Sequence, residues 1–429
     1  MIYKLIFKLG QHLRNPSMEE CSLFLKESES WSLEALEDYQ LKKLKEILRF
    51  AYAYSPFYRN YFEVQNFSIS QIKKIDDIRK VPIVTKRLLL DNTLEIQATY
   101  KFKKLFKAST SGSTGEGLEF SRNEEADSFN RAAIFRGYSW YRVYPWDRNA
   151  YLWGFNFSLL EKGKTKCLDF LQNRFRIFSY EEKSFAHFVQ KLRSAKYFHG
   201  YSSMLFQTAK LINERGLVLP KSLKMIKGTS EKIFDSYQEE VKKAFGLKII
   251  SEYGATESGI IAFECPEGNM HLNMEGVIVE EVDNEIIVTN LQMKSFPVIR
   301  YALGDYIQLA PRDEVCSCGR KHRILKEVIG RIGQNVYGIE GVYPSLYFYY
   351  IFKNIAKNSD LLLNYQVVQV RKGELEFRIE QSINEEEIRI LRKEIEKYFE
   401  KNIRYKVLVG VNLIATKHKF KSFLSNMDS

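Results

Sequence analysis

Between about residues 150 and 330 short apolar runs such as Ile249-Ile250 and Ile286 to Val288 alternate with helical stretches such as IFDSYQEEVKKAF. That rhythm is the mark of layered α/β architecture. VIVEEVDNEIIVTN adds a hairpin turning at Asp283-Asn284. Upstream, Leu41, Leu44, Leu48 and Ala51 recur at helical spacing and Ser55-Pro56 ends the pattern, so residues 1–100 read as mainly helical. After about residue 330 the pattern changes. YQVVQV and ELEFRIE read as strands joined at Lys372-Gly373, Ile388, Leu391, Ile395 and Phe399 share one helical face, and KVLVGVNLIA returns as strand. The expectation is an α/β chain: a large N-terminal domain over 1–330 with layered sheets and helices, a short hinge near Gly330-Arg331, and a small α+β domain over 331–429.

Lys plus Arg number 65 against 53 Asp plus Glu, a net charge of +12, which raises nucleic acid as a partner. The excess is spread, and its longest clusters, Lys101-Phe102-Lys103-Lys104 and Lys417 to Lys421, are short, so no nucleic-acid partner is expected. Five scattered cysteines in 429 residues do not make a disulfide framework, and a reducing, cytoplasmic setting is expected. The N-terminal MIYKLIFKLGQHLRN is a poor secretory signal, and no run reaches the roughly 18 apolar residues of a membrane span. It reads either as a basic amphipathic helix in peripheral contact with a membrane or as a helix packed on the core.

Residues 109–117, Ser-Thr-Ser-Gly-Ser-Thr-Gly-Glu-Gly, form a hydroxyl-and-glycine loop. Glycines let backbone N–H groups approach an anion, and the hydroxyls can donate to phosphate oxygens. No Lys follows the second Gly, so this is not the loop of the strand–loop–helix NTPases, and a loop of this composition standing alone reads as a linker. Directly after Ile249-Ile250 stands Ser251-Glu252-Tyr253-Gly254-Ala255-Thr256-Glu257. Its aromatic face, hydroxyl and carboxylate suit stacking on a base, bonding a phosphate and holding Mg²⁺. Cys265, His271, Cys316 and Cys318 supply three thiols and an imidazole, the ligand set of a structural zinc site, with His322 as the substitute if His271 faces elsewhere.

Two further motifs follow in order, Pro297-Val298-Ile299-Arg300-Tyr301-Ala302-Leu303-Gly304-Asp305 and Ile329-Gly330-Arg331-Ile332-Gly333-Gln334, and then a lysine-bearing end, IATKHKFKSFLSN. These motifs in this order resemble the adenylate-forming acyl ligase superfamily, in its phenylacetate–CoA ligase-like branch and the capsular-polysaccharide CapK subgroup. Tyr54 to Tyr58, Pro82 to Lys86, His199 to Ser203 and Thr229-Ser230-Glu231 extend the likeness over most of the chain.

The resemblance implies a large adenylate-forming domain with a small mobile C-terminal lid that carries the catalytic lysine. In it, Thr110, Ser111, Gly112, Ser113, Thr114 and Gly115 wrap the ATP phosphates, Ser230 and Glu231 join the nucleotide site, and Tyr253 with Gly254 lies against adenine. Thr256 and Glu257 contact the α-phosphate and Mg²⁺, Asp305 holds the ribose hydroxyls with Arg331 nearby, and Lys419 is the catalytic lysine, with Lys417 and Lys421 as alternatives. A carboxylic acid is activated with ATP, and the acyl group passes to CoA or to a sugar hydroxyl or amine. Glu116 and His418 depart from the pattern and favour the competing reading, a non-catalytic nucleotide- or acyl-binding scaffold.

Overall fold

The computed structural model describes residues 2–110, 118–152, 159–177, 182–217, 222–331, 335–359, 361–399, 401–413, 415–416, 419–420 and 422–427. The first hundred residues form α1 (Ile2–Arg14), α2 (Met18–Ser28), α3 (Leu33–Tyr54), α4 (Pro56–Val64), α5 (Lys86–Asp91) and α6 (Thr93–Ile96). Next come β1 (Leu105–Ser109), β2 (Glu119–Asn123), α7 (Glu124–Trp140), β3 (Asn149–Leu152), α8 (Leu159–Leu171), β4 (Arg174–Phe175), α9 (Glu182–Leu192), β5 (Tyr197–Tyr201), α10 (Ser202–Glu214), β6 (Met225–Thr229) and α11 (Asp235–Phe245). The strands β7 (Ile249–Ala255), β8 (Gly259–Glu264), β9 (Met270–Leu272), β10 (Val277–Val282), β11 (Glu285–Asn290), β12 (Tyr301–Leu309) and β13 (Ile324–Arg331) follow. The last hundred residues carry β14 (Asn335–Tyr337), β15 (Val342–Pro344), α12 (Leu346–Ser359), β16 (Tyr365–Arg371), β17 (Glu374–Ile379), α13 (Glu385–Phe399), β18 (Arg404–Leu408), β19 (Ala415–Thr416), β20 (Lys419–Phe420) and β21 (Phe423–Ser425).

These elements group into two compact units. The first comprises residues 1–148, 163–174 and 250–328, the second 149–162, 175–249 and 329–429. The segment expected to be a small domain, 331–429, therefore lies in the second unit with 149–162 and 175–249. Gly330 and Arg331, expected at a hinge, are the last residues of β13.

In the first unit the strand order is β10-β11-β12-β13-β9-β8-β7. Asp283 and Asn284 both take positive φ, 52° and 65°, the geometry that a tight two-residue hairpin between β10 and β11 demands. Helix α3 starts where the Ser32 side chain accepts from the Ala35 N–H at 3.2 Å and ends at Ser55, whose hydroxyl in turn accepts from the Tyr58 N–H at the start of α4. Pro56 sits at the first position of α4, where no intrahelical N–H is needed. The apolar stripe of α3, Leu36, Leu44, Ile47, Leu48 and Ala51, packs into one core with Phe62, Ile286, Val288 and Phe296. Each such fully buried large side chain contributes on the order of 2 kcal/mol.

Two buried ion clusters lock this unit. Arg300, at φ 46°, donates to both carboxylate oxygens of Glu280 and to the carbonyls of Arg79 and Val81 at 2.9 and 2.6 Å. The arginine of the third motif is thus a structural tie. Glu275, fully buried, accepts from Arg136 at 2.6 Å, from the Ser28 hydroxyl at 2.5 Å and from His322 Nε2 at 3.0 Å, joining α2, α7 and the segments after β9 and before β13.

In the second unit β3, β5 and β6 run parallel, with Asn149, Tyr197 and Met225 in register. A separate four-stranded sheet runs β18-β17-β16-β21. Leu391, Ile395 and Phe399 of α13 face it, and Phe348, Phe377 and Phe423 complete its core. Among the described residues, no helix is long and apolar enough to cross a membrane.

Candidate functional site

Strands β1 and β2 pair antiparallel from Leu105↔Asn123 to Ser109↔Glu119, flanking the hydroxyl-and-glycine segment on both sides. The Thr110 N–H donates to the Leu118 carbonyl at 2.9 Å, and the Leu118 N–H donates to Thr110 Oγ1 at 2.9 Å, closing the neck of the loop. Ser111, Gly112, Ser113, Thr114, Gly115 and Glu116 themselves lie outside the described residues.

Strand β7 presents the second motif. Tyr253 Oη donates to Asp305 Oδ2 on β12 at 2.8 Å, which joins the expected adenine-facing ring to the expected ribose-binding carboxylate. The β7–β8 register shifts between Tyr253 and Gly254, and a Cβ on Gly254 would stand 2.5 Å from the Gly259 carbonyl oxygen. Only glycine fits there, and such a bulge re-aims the residues that follow it. Thr256 is exposed and Glu257 half-buried, and the Tyr301 hydroxyl stands 3.5 Å from the Glu257 carboxylate.

Arg122, which sequence reasoning passed over, sits on β2, the return strand of the loop hairpin, and its guanidinium donates to the Thr256 carbonyl. It also pairs with Asp127 at 3.4 Å, and Arg131 pairs with the same carboxylate at 2.9 Å. Burial opposes charge on Asp127, but the two guanidiniums and Asn15 outweigh it, and its carboxyl stays below the ordinary range. One arginine thus ties strand β2 to the Thr256-Glu257 loop. The signal in the sequence is only its place just past the loop, which no motif marks.

The fit to a magnesium nucleotide rests on donor chemistry. Within the first unit, Tyr253 holds Asp305, Tyr301 reaches Glu257 and Arg122 holds the Thr256 carbonyl, so that two carboxylates, an exposed hydroxyl on Thr256 and a half-buried aromatic ring on Tyr253 are gathered by neighbouring strands. Oxygen donors of this kind suit Mg²⁺.

In the second unit Ser230 takes a positive φ of 66°, and the Glu231 carboxylate accepts from the Ser203 N–H at 2.9 Å, at the N-terminus of α10. Thr416 pairs with Lys419 in the β19–β20 hairpin. Lys417, His418 and Lys421 lie outside the described residues, as do the side chains of Lys419 and Arg331.

The cysteines and histidine converge in the first unit. The ligand atoms of Cys265, His271, Cys316 and Cys318 all lie within 4.8 Å of one another. Cys265 Sγ is 3.7 Å from Cys316 Sγ, and Cys318 Sγ is 3.2 Å from His271 Nε2. A tetrahedral zinc with Zn–S of about 2.3 Å holds its sulfurs about 3.8 Å apart, so the donor set has the dimensions of such a centre. His271 Nδ1 faces the His322 carbonyl at 3.2 Å, which leaves Nε2 toward the sulfurs. Burial pulls the His271 imidazole down to about 4, so it is neutral near pH 7, the form that ligates a metal. Burial pushes the Cys265 thiol up to about 12, whereas at Cys316 burial is outweighed by donors from the Cys318 N–H and Asn269, and its thiol is lowered.

Both cysteine segments are the same turn. The Gly268 N–H donates to the Cys265 carbonyl at 2.9 Å and the Gly319 N–H to the Cys316 carbonyl at 3.1 Å, with the glycines at φ 86° and 88°. The repeated Cys-x-x-Gly spacing is a signal in the sequence that the ligand count alone did not use. His322, the substitute ligand, is committed to Glu275 and does not join the cluster.

The chain matches no protein-family model. It is 24% identical over 309 residues to protein CapK of Staphylococcus aureus, covering 69% of this chain and 68% of that protein. Its fold is similar to that of 2-hydroxyisobutyryl-CoA ligase in the postadenylation state with an acyl-AMP bound, at TM-score 0.69 and 17% identity, over 93% of this chain and 91% of the other. The same ligase in the thioesterification state, with 2-HIB-AMP and CoA, gives TM-score 0.58 at 19% identity over 92% and 91%. In sequence the chain is thus similar to CapK over about two thirds of its length, and in fold it is similar to a solved acyl-CoA ligase over nearly all of it.

Proposed function

We propose that this chain is an ATP-dependent, AMP-forming acid ligase. A substrate carboxylate oxygen attacks the α-phosphorus of ATP, the bond to the β-phosphate oxygen breaks, and pyrophosphate leaves an acyl-adenylate. A nucleophile then takes the acyl group and releases AMP. The observation that carries the reading is the Tyr253–Asp305 pair set beside the Thr256-Glu257 loop, which Arg122 ties to strand β2. Support comes also from the fold shared with a ligase solved with its acyl-AMP and with CoA.

In this reading Tyr253 and Gly254 flank the base, Asp305 holds the ribose, and Thr110 with Ser111 to Gly115 receives the phosphates, joined by Ser230, Glu231 and Arg331. Thr256 and Glu257 face the α-phosphate, and Lys419 donates to the developing charge there, carried by residues 331–429 acting as a lid. Mg²⁺ held through Glu257 supplies neutralisation of the polyphosphate charge. Fixed donors aimed at the charge of the transition state are the main source of rate in such chemistry. The acceptor is CoA or an amine or hydroxyl, in capsule or surface-polysaccharide biosynthesis, the setting implied by the resemblance to the CapK subgroup. Supplying aryl, fatty, amino and sugar acids with ATP and Mg²⁺ tests the reading: one class supports AMP formation, and added CoA or sugar amine raises turnover with the true acceptor. ATP binding without AMP formation from any acid would instead select the scaffold.

We further propose that Cys265, His271, Cys316 and Cys318 hold a structural zinc ion; with four protein ligands, no open position remains for substrate. Metal analysis of the purified chain is expected to give one zinc per chain, and Cys318→Ser well under one with a lowered melting temperature. Wild-type protein without zinc that melts unchanged in a chelator would refute the site.

A further inference from the structure

Helix α1 has an inner and an outer face. On the inner face Phe7 packs against Phe135 and Trp146, with ring centroids 5.7 and 5.5 Å apart, and Lys104 donates to the carbonyls of Leu13 and Arg14 at the helix end. The helix is thus docked on the first unit. On the outer face Ile2, Leu5, Leu9 and Leu13 are 65, 71, 61 and 69% exposed. At 3.6 residues per turn these four fall within an arc of about 80°, a continuous apolar stripe turned to solvent.

The stripe has a neighbour. Tyr3, on one side of it, meets Phe170 of α8 edge-on at 6.3 Å, and Phe170, Leu168 and Leu171 are themselves exposed. On the other side stand Lys4, Lys8 and His12, while α8 adds exposed Lys164 and Lys166. Helix α1 itself holds no acidic residue, the exposed Glu19 of α2 pairs with Lys8 at 3.0 Å, and the single acid in 163–171, Asp169, is buried against Arg174 at 2.8 Å. An apolar stripe this exposed, bordered by more cations than acids, has the composition of a helix that lies in the headgroup layer of an anionic bilayer. A second copy of the chain fits poorly, because a symmetric pairing would set the two rows of lysines against each other.

We infer that α1 and the exposed end of α8 form a peripheral docking surface for membranes rich in anionic lipid. Its apolar stripe enters the headgroup boundary, and Lys4, Lys164 and Lys166 meet the lipid phosphates. This inference is independent of the acyl-transfer reading.

Flotation of the full-length protein with phosphatidylcholine vesicles, with and without phosphatidylglycerol, tests it. Wild type is expected to float with the phosphatidylglycerol vesicles and to be released by high salt. The Leu5→Ser/Leu9→Ser variant, altered only at exposed positions, is expected to melt as wild type does and to lose binding at least about tenfold. Lys4→Glu/Lys164→Glu is expected to lose the preference for phosphatidylglycerol. Wild type that stays with the pellet, or a Leu variant that floats equally well, would overturn the proposal. So would self-association in sedimentation velocity that the Leu variant abolishes while no vesicle binding is seen, since that assigns the stripe to a second copy.

Discussion

Replacing Lys419 by alanine is expected to slow carboxylate-dependent pyrophosphate release by about 10²–10³-fold, the cost of removing one preorganised donor from a developing anion. The measured ATP affinity is expected to stay close to wild type. The split follows from the proposed geometry: Tyr253, Asp305 and the Thr110 loop bind nucleotide in the ground state, while the lysine interacts with charge that appears only in the transition state. Stopped-flow pyrophosphate release together with equilibrium nucleotide binding separates the two. Equal loss of binding and rate would make Lys419 a ground-state contact. An unchanged rate would assign the role to Lys417 or Lys421, which the same pair of measurements on their alanine variants would show.

Glu275→Ala is expected to be the most destabilising single substitution in the first unit, at about 3–5 kcal/mol, because it strands the Arg136 guanidinium in a dry interior. Burial opposes the charge of Glu275, but Arg136 and His322 outweigh it and hold its carboxyl well below its ordinary value of 4.5. A carboxyl lowered in the folded state contributes stability that is fully present above its unfolded value and is lost as pH falls through the folded one. Wild type is therefore expected to lose this contribution only below about pH 4, and the Glu275→Ala variant to show a flatter acid limb in denaturant titrations. The double variant Arg136→Met/Glu275→Leu, which removes both charges, is expected to recover part of the loss. A single variant as stable as wild type would show that the cluster is inessential.

What the sequence reveals about this molecule is what its local grammar can encode. The turn at Asp283-Asn284 and the one at Lys372-Gly373 are legible because two turn-forming positions between alternating apolar runs suffice to specify them. The α3 stripe and its stop at Ser55-Pro56 are legible for the same reason. Four metal-type donors can be counted in the sequence, and the fold brings those four together. Contacts between distant segments leave no such trace. Arg122 meets Thr256 across 134 positions, and Glu275 gathers Ser28, Arg136 and His322 from three separate segments. His322 illustrates the difference: by composition it competes with His271 as a ligand, and only its ion pair with a buried carboxylate removes it. The two compact units, which interleave along the chain, are likewise set by long-range packing and not by any local boundary signal.

Exchange of radiolabelled pyrophosphate into ATP measures acyl-adenylate formation alone, without any acceptor. The exchange is expected to require Mg²⁺ and one class of carboxylic acid, and to fall with Lys419→Ala. ATP bound at the site with no exchange under any acid would contradict acyl-adenylate formation and leave a nucleotide-binding scaffold of the same fold.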